Sequence, residues 1–133
     1  MMDPTCFSFK KISEKNGVSI YYTNPAKGKQ SVDSNEISEF YENAIKKIYH
    51  KKWIWIFDSY EYDLAYGLDI KSGIEFTNLL INKYGDNLLE IKIINPIIPI
   101  KLILKAAMPF IDKAITDRIK MLTDRYYSVI EFM

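Results

Sequence analysis

The chain has 133 residues, enough to bury a core in one domain but short for two. Its 18 basic and 17 acidic residues leave a formal net charge of +1, without the basic excess or stripe of a nucleic-acid-binding surface. Hydrophobic residues at 48% and aromatics at 14% exclude a disordered chain, and a single cysteine, Cys6, excludes an internal disulfide.

The first residues, Met1-Met2-Asp3-Pro4-Thr5-Cys6, lack the basic segment and apolar run of a secretory signal, and no Asn-x-Ser/Thr acceptor follows. The expectation is a reducing, cytoplasmic setting. Phe7 to Ile12 alternates as a short strand. Asn16-Gly17 is a strong hairpin signal, because both residues accept positive φ. Val18 to Tyr22 is the return strand, and Asn24-Pro25-Ala26-Lys27-Gly28-Lys29 a loop. Asp33 or Ser34 caps a helix, with Glu36 placed for a capping box. Ile37, Tyr41, Ala44 and Ile48 form its inner face, flanked by Phe40 and Ile45. Its end is expected near His50-Lys51-Lys52, where cations suit the helix dipole.

Trp53-Ile54-Trp55-Ile56-Phe57 is apolar without alternation, which predicts a central strand covered on both faces and ended by Asp58. A segment carrying Tyr60, Tyr62 and Tyr66 leads to a second helix marked by Ile70, Ile74, Thr77, Ile81 and Tyr84, with Gly85 as its C-cap. Leu88 to Ile94 is the next strand, broken by Asn95-Pro96. Pro99 is tolerated in a first helical turn, so it can open a helix running to about Met108, where Pro109 ends it. Only Lys101 and Lys105 are charged there, one turn apart on one face. A membrane span needs about 20 largely uncharged apolar residues. Lys92, Asn95, Lys101, Lys105 and three prolines exclude it. A core helix and a lid over a hydrophobic ligand remain, and the helix by itself does not choose between them. Thr116 then caps a short helix holding Ile119 and Leu122, and Tyr126 to Phe132 forms the last strand. The order β-β-α-β-α-β-α-α-β predicts an α/β fold: a mostly parallel five-stranded sheet flanked by helices, with an N-terminal β-hairpin.

Catalytic signals are sparse. His50 sits among lysines at a helix end, and no carboxylate cluster joins it or Cys6 as metal ligands. Gly28-Lys29-Gln30-Ser31 lacks the upstream glycine and the Lys-Ser/Thr pair of a phosphate-binding loop. Asp58 ends a strand at the carboxyl edge, where α/β proteins place sites, but reads better as a turn residue. The stripe Trp53, Trp55, Phe57 reads as core. No enzyme activity and no cofactor is expected.

With these residues in view, the chain resembles a divergent, shortened CRAL-TRIO domain, the family of phosphatidylinositol-transfer and tocopherol- and retinaldehyde-binding proteins. Trp53-Ile54-Trp55-Ile56-Phe57-Asp58 is similar to the family's apolar strand ending in Asp. Tyr84-Gly85-Asp86-Asn87-Leu88 stands at its Tyr-Pro-Glu-Arg-Leu turn, without the Pro, Glu and Arg. Ile91-Lys92-Ile93-Ile94-Asn95-Pro96 resembles its strand ending in Asn. Pro109-Phe110-Ile111-Asp112 with Thr116 and Arg118-Ile119 resembles its Lys-Pro-Phe-Leu and Thr-x-x-Lys-Ile segment. The resemblance spans about Phe7 to Phe132. It implies a gate helix, Ile98 to Met108, closing over a lipid or other hydrophobic ligand, with Trp55, Phe57, Ile93, Ile98, Leu102, Ile103, Ala106, Met108 and Phe110 lining the pocket. Burial of an acyl chain there contributes ~0.8 kcal/mol per methylene. Lys101 and Lys105 would meet anionic headgroups during transient membrane contact. The family also implies an alternative, a protein-interaction module that homodimerises through the same helix or an edge strand.

Overall fold

The structure, a computed structural model, describes residues 9–24, 34–59, 78–96, 101, 102, 105, 106 and 108–133. Five strands, β1 (Lys10–Lys15), β2 (Val18–Thr23), β3 (Trp53–Asp58), β4 (Leu88–Ile94) and β5 (Ile119–Leu122), form one sheet in the order β1-β2-β3-β4-β5. The first pair is antiparallel and the other three are parallel. Helix α1 (Ser34–Lys46) joins β2 to β3, and α2, helical at 78–84, precedes β4. Between β4 and β5 lie α3, helical at 101, 102, 105 and 106, then a tight turn at Met108–Phe110 and α4 (Lys113–Thr116). The expected α/β architecture is therefore present.

The antiparallel pair closes through Asn16 and Gly17, both at positive φ (53° and 80°), which matches the twist of the flanking strands. Because the strands follow one another in space as in sequence, crossovers of the usual right hand return over the same face. Ile45 of α1 and Leu80 of α2 accordingly pack together with Tyr21, Trp53, Leu88, Ile91 and Ile93. The opposite face gathers Tyr22, Ile56 and Ile94, with Ile12, Ile20, Ile54 and Leu122 around them. The C-terminal residues Tyr127, Val129 and Phe132 cover it. Alternation along β3 sends Trp53, Trp55 and Phe57 to the helical face and Ile54 and Ile56 to the other. Residues at each end of this strand are buried, as a centrally placed strand requires.

Rings fill the helical side. Phe9 stacks on Tyr21 at 4.9 Å and meets Trp53 and Trp55 edge-on at 5.9 and 5.5 Å, and Tyr41 of α1 lies 5.9 Å from Trp55. Such geometries add about 0.5–1.5 kcal/mol per pair beyond burial.

Several boundaries differ from expectation. The described part of the first strand starts at Lys10 rather than Phe7, and α1 stops at Lys46, short of His50-Lys51-Lys52. The turn after α1 lets Tyr49 meet Tyr84 edge-on at 5.0 Å and its carbonyl accept from Asn87 Nδ2 at 2.9 Å. Ile119 and Leu122 belong to a strand, not to a helix capped by Thr116. Asp112 precedes α4, while the Thr116 hydroxyl donates to the Lys113 carbonyl at its far end. The open edge of β4 decides this. Ile91 N–H donates to the Arg118 carbonyl at 2.9 Å, and pairing then runs from Ile91–Ile119 to Ile94–Leu122. Tyr126 to Phe132 is not a strand: Ser128 opens a 3₁₀ turn at Val129–Phe132, with Glu131 completing a capping box. The edge strand is thus β5.

Gly85 opens a 3₁₀ turn and is not a left-handed C-cap; among the described glycines only Gly17 has positive φ. Its requirement is space, since a Cβ there would stand 2.5 Å from Ile81 Cγ2. Gly85→Ala should destabilise the fold by about 1–3 kcal/mol in urea titration, and Ile81→Ala added to it should restore part of the loss. An unchanged midpoint for the single variant would contradict this packing.

Candidate functional site

Parallel strands bring their carboxyl ends together, and there β2, β3 and β4 end in Thr23-Asn24, Asp58-Ser59 and Ile94-Asn95. Thr23, Asn24, Asp58 and Ser59 are all buried. The Asp58 carboxylate accepts from Tyr22 Oη at 2.5 Å and from Asn95 Nδ2 at 3.2 Å. Asn24 also reaches the Tyr22 hydroxyl. Burial, and then donation to Asp58, push the ionisation of Tyr22 well above the ordinary tyrosine value. Trp55 Nε1 donates to Thr23 Oγ1 at 2.8 Å, and Ser59 N–H donates to the Ile94 carbonyl at 2.9 Å.

Asn95 is the least expected member. Its backbone is left-handed, at φ 55°, which asparagine tolerates better than most residues. Its amide grips the C-terminal segment at both ends: Nδ2 donates to the Tyr127 carbonyl at 2.8 Å, and Oδ1 accepts from Tyr127 N–H at 2.7 Å. The carboxyl edge is therefore a structural knot, in which Asp58 joins β2, β3 and the end of β4, and Asn95 adds the C-terminus. Both Asp58 oxygens accept hydrogen bonds, so the carboxylate orients its neighbours. Among the described residues, no three His, Cys, Asp or Glu side chains come together as metal ligands.

Ser59 is 0% exposed and its Oγ has no hydrogen-bond partner among the described residues, and the same holds for Trp53 Nε1. An unsatisfied buried hydroxyl costs about 1–3 kcal/mol. Neither atom was legible as a special position in the sequence.

The residues lining the expected pocket divide into two groups. Trp55, Phe57 and Ile93 lie together on the helical face of the sheet, inside its aromatic and aliphatic packing. Ile98 and Ile103 fall outside the described residues. Leu102 and Phe110 are 62% and 70% exposed, Ala106 is exposed and Met108 half-buried. Lys101 is half-buried and Lys105 exposed; neither makes one of the described ion pairs. Asn78 of α2 anchors the end of this stretch, with Nδ2 donating to the Phe110 carbonyl at 3.5 Å and Oδ1 accepting from Asp112 N–H at 3.4 Å. Two large apolar side chains are thus held outward on the connection between β4 and β5.

Among the described residues no helix is long and apolar enough to cross a membrane. The chain matches no protein-family model and no curated protein.

Two outcomes test the knot. A folded-state tyrosine pKa raised above the unfolded value stabilises fully below about pH 10 and loses that contribution as pH rises through the folded value. Tyr22→Phe should therefore flatten the loss of stability above pH 10, measured by urea titrations at stepped pH; an identical alkaline slope would contradict the assignment. Ser59→Ala should be neutral or stabilising by up to about 1 kcal/mol, because it removes an unpaired hydroxyl. A clear destabilisation would mean that Oγ has a partner.

Proposed function

We propose that the protein is a non-catalytic, CRAL-TRIO-like binder of a lipid or other hydrophobic ligand, acting through the stretch 98–110. The observation that supports this reading most is the outward placement of Leu102 and Phe110, 62% and 70% exposed. A large apolar side chain gains roughly 1.5–3 kcal/mol when it leaves water, so a pair held in solvent favours an apolar occupant. Lys101 and Lys105 flank Leu102 and suit anionic headgroups during a transient membrane contact. The resemblance at Trp53 to Asp58 and Ile91 to Pro96 supplies the ligand class. Ile98 and Ile103 complete the gate in this reading. The setting is a reducing, cytoplasmic one, and no nucleic acid or cofactor takes part.

A second reading rests on a separate observation. Tyr126, Ile130 and Met133 expose apolar surface along the C-terminal segment, and β5 is a sheet edge. These features fit a homodimeric interaction module, which sedimentation as a function of concentration would reveal.

Leu102 and Phe110 are exposed, so Glu at either position should leave the fold intact. Leu102→Glu and Phe110→Glu should each weaken flotation with phosphatidylcholine–phosphatidylserine vesicles, or retention of bound lipid, by about tenfold, as the loss of about 1.4 kcal/mol implies. Folded variants that bind like the parent would overturn the proposal.

A further inference from the structure

We infer that residues 123–133 form a strap that undocks from the sheet as one unit, with Asn95 as its catch and Asp58 as the group that sets the catch. The inference is independent of the ligand proposed above.

The strap's attachments carry the argument. Among the described residues it has no backbone ladder to the sheet. Its own main-chain bonds stay inside it, Glu131 N–H to the Ser128 carbonyl and Met133 N–H to the Ile130 carbonyl. Four of its side chains, those of Asp124, Arg125, Tyr127 and Glu131, close on one another as well. Arg125 makes two bonds to the Glu131 carboxylate, at 2.7 and 3.1 Å, and lies 4.0 Å from the Tyr127 ring centre, while the Tyr127 hydroxyl donates to Asp124. Ser128 N–H donates to Glu131 at 2.8 Å, and Ser128 Oγ accepts from Ile130 N–H at 3.3 Å. A segment that satisfies itself in this way keeps its shape when it leaves.

The hydrogen-bonded link described between strap and sheet is the pair of bonds from the Asn95 side chain to the Tyr127 backbone, and Tyr126 also lies close enough to Tyr22 to act on its ionisation. An amide serves there only in one orientation. With Nδ2 toward Asp58, the carboxylate accepts from it and Oδ1 is free to receive Tyr127 N–H. Reversed, Oδ1 would face a buried carboxylate and Nδ2 would face an N–H, so both contacts become repulsive. Asp58 therefore fixes the catch without touching the strap's backbone, and its bond to Tyr22 ties that setting to β2.

Apolar contact does the rest. Tyr127, Val129 and Phe132 lie on Tyr22, Ile56 and Ile94, and Lys92 Nζ stands 5.8 Å from the centre of the Phe132 ring. Undocking uncovers a largely aliphatic sheet face that also includes Ile12, Ile20 and Ile54. On the helical face the described helical cover, α1 and α2, lies between strands in the chain order. Low-energy opening of this kind is a local event below global unfolding.

Hydrogen exchange read by NMR on the intact chain tests it. The reporters are the amides of Tyr127, Glu131 and Met133 in the strap, and those of Ser19 and Ile91 in the sheet, which donate to Lys52 and Arg118 carbonyls. In the parent, the strap amides should exchange at least tenfold faster than the sheet amides. Asn95→Ala should accelerate all three strap amides by a further tenfold or more, leave Ser19 and Ile91 unchanged, and raise binding of an apolar fluorescent dye. Phe132→Ala, which keeps the knot intact, should produce the same pattern should Asn95→Ala fold poorly. Strap and sheet amides exchanging at one rate in the parent, or variants accelerating both alike, would overturn the inference.

Discussion

Among the described residues no helix packs on the sheet face of Tyr22, Ile56 and Ile94, and much of this structure answers that constraint. Right-handed crossovers between strands in this order return over one side, and Ile45 of α1 and Leu80 of α2 share a single core with Tyr21, Trp53, Leu88, Ile91 and Ile93. The other face carries Tyr22, Ile56 and Ile94, which water would not tolerate bare. A few residues at the C-terminus cover them. Among the described residues, Tyr127, Val129 and Phe132 supply the apolar contact and Asn95 two hydrogen bonds.

The two faces communicate at the carboxyl edge. Asp58 lies at the end of the strand whose tryptophans build the helical core, yet its carboxylate turns to the side of Tyr22 and Asn95. A buried carboxylate is costly unless hydrogen-bonded. Here the donors come from β2 and from the residue ending β4, so the cost of burying the charge is offset only in the assembled sheet. The opposite half of the strap face is polar, with Glu90 between Lys92 and Lys120 at 3.8 and 3.1 Å. The aliphatic ground is thus confined to the area that the strap covers and to the β1–β3 side.

Elements with strong local signals were legible in the sequence. The apolar run Trp53 to Phe57 implied a strand with two covered faces, and Tyr41 fell on the expected inner face of α1, whereas Ile45, expected beside that face, is buried more deeply. Two elements at the C-terminal end were misread. Ile119-Lys120-Met121-Leu122 is too short to show a period, and pairing with β4 rather than local preference makes it a strand. Tyr127 to Phe132 is rich in β-formers, but Ser128-Val129-Ile130-Glu131 also has the spacing of a capping box, a signal outweighed by composition. The knot was half legible. Asp58 stood out at a strand end, whereas the partners of Asn95 lie 32 and 37 residues away in sequence, and no local pattern links them. Of the lining residues, Trp55, Phe57 and Ile93 proved to share a face, and the exposure of Leu102 and Phe110 could not be read from an apolar helix circumference.

Exposed leucine and phenylalanine on the β4–β5 connection give the reading of function its physical basis: they lower the free energy of the system when something apolar covers them. Native mass spectrometry of the purified protein, with bound material extracted and identified, tests this most directly. The account predicts a monomer carrying one lipid-sized apolar molecule. An empty protein running as a dimer would contradict it, because the apolar stretch would then be satisfied by a second copy of the chain.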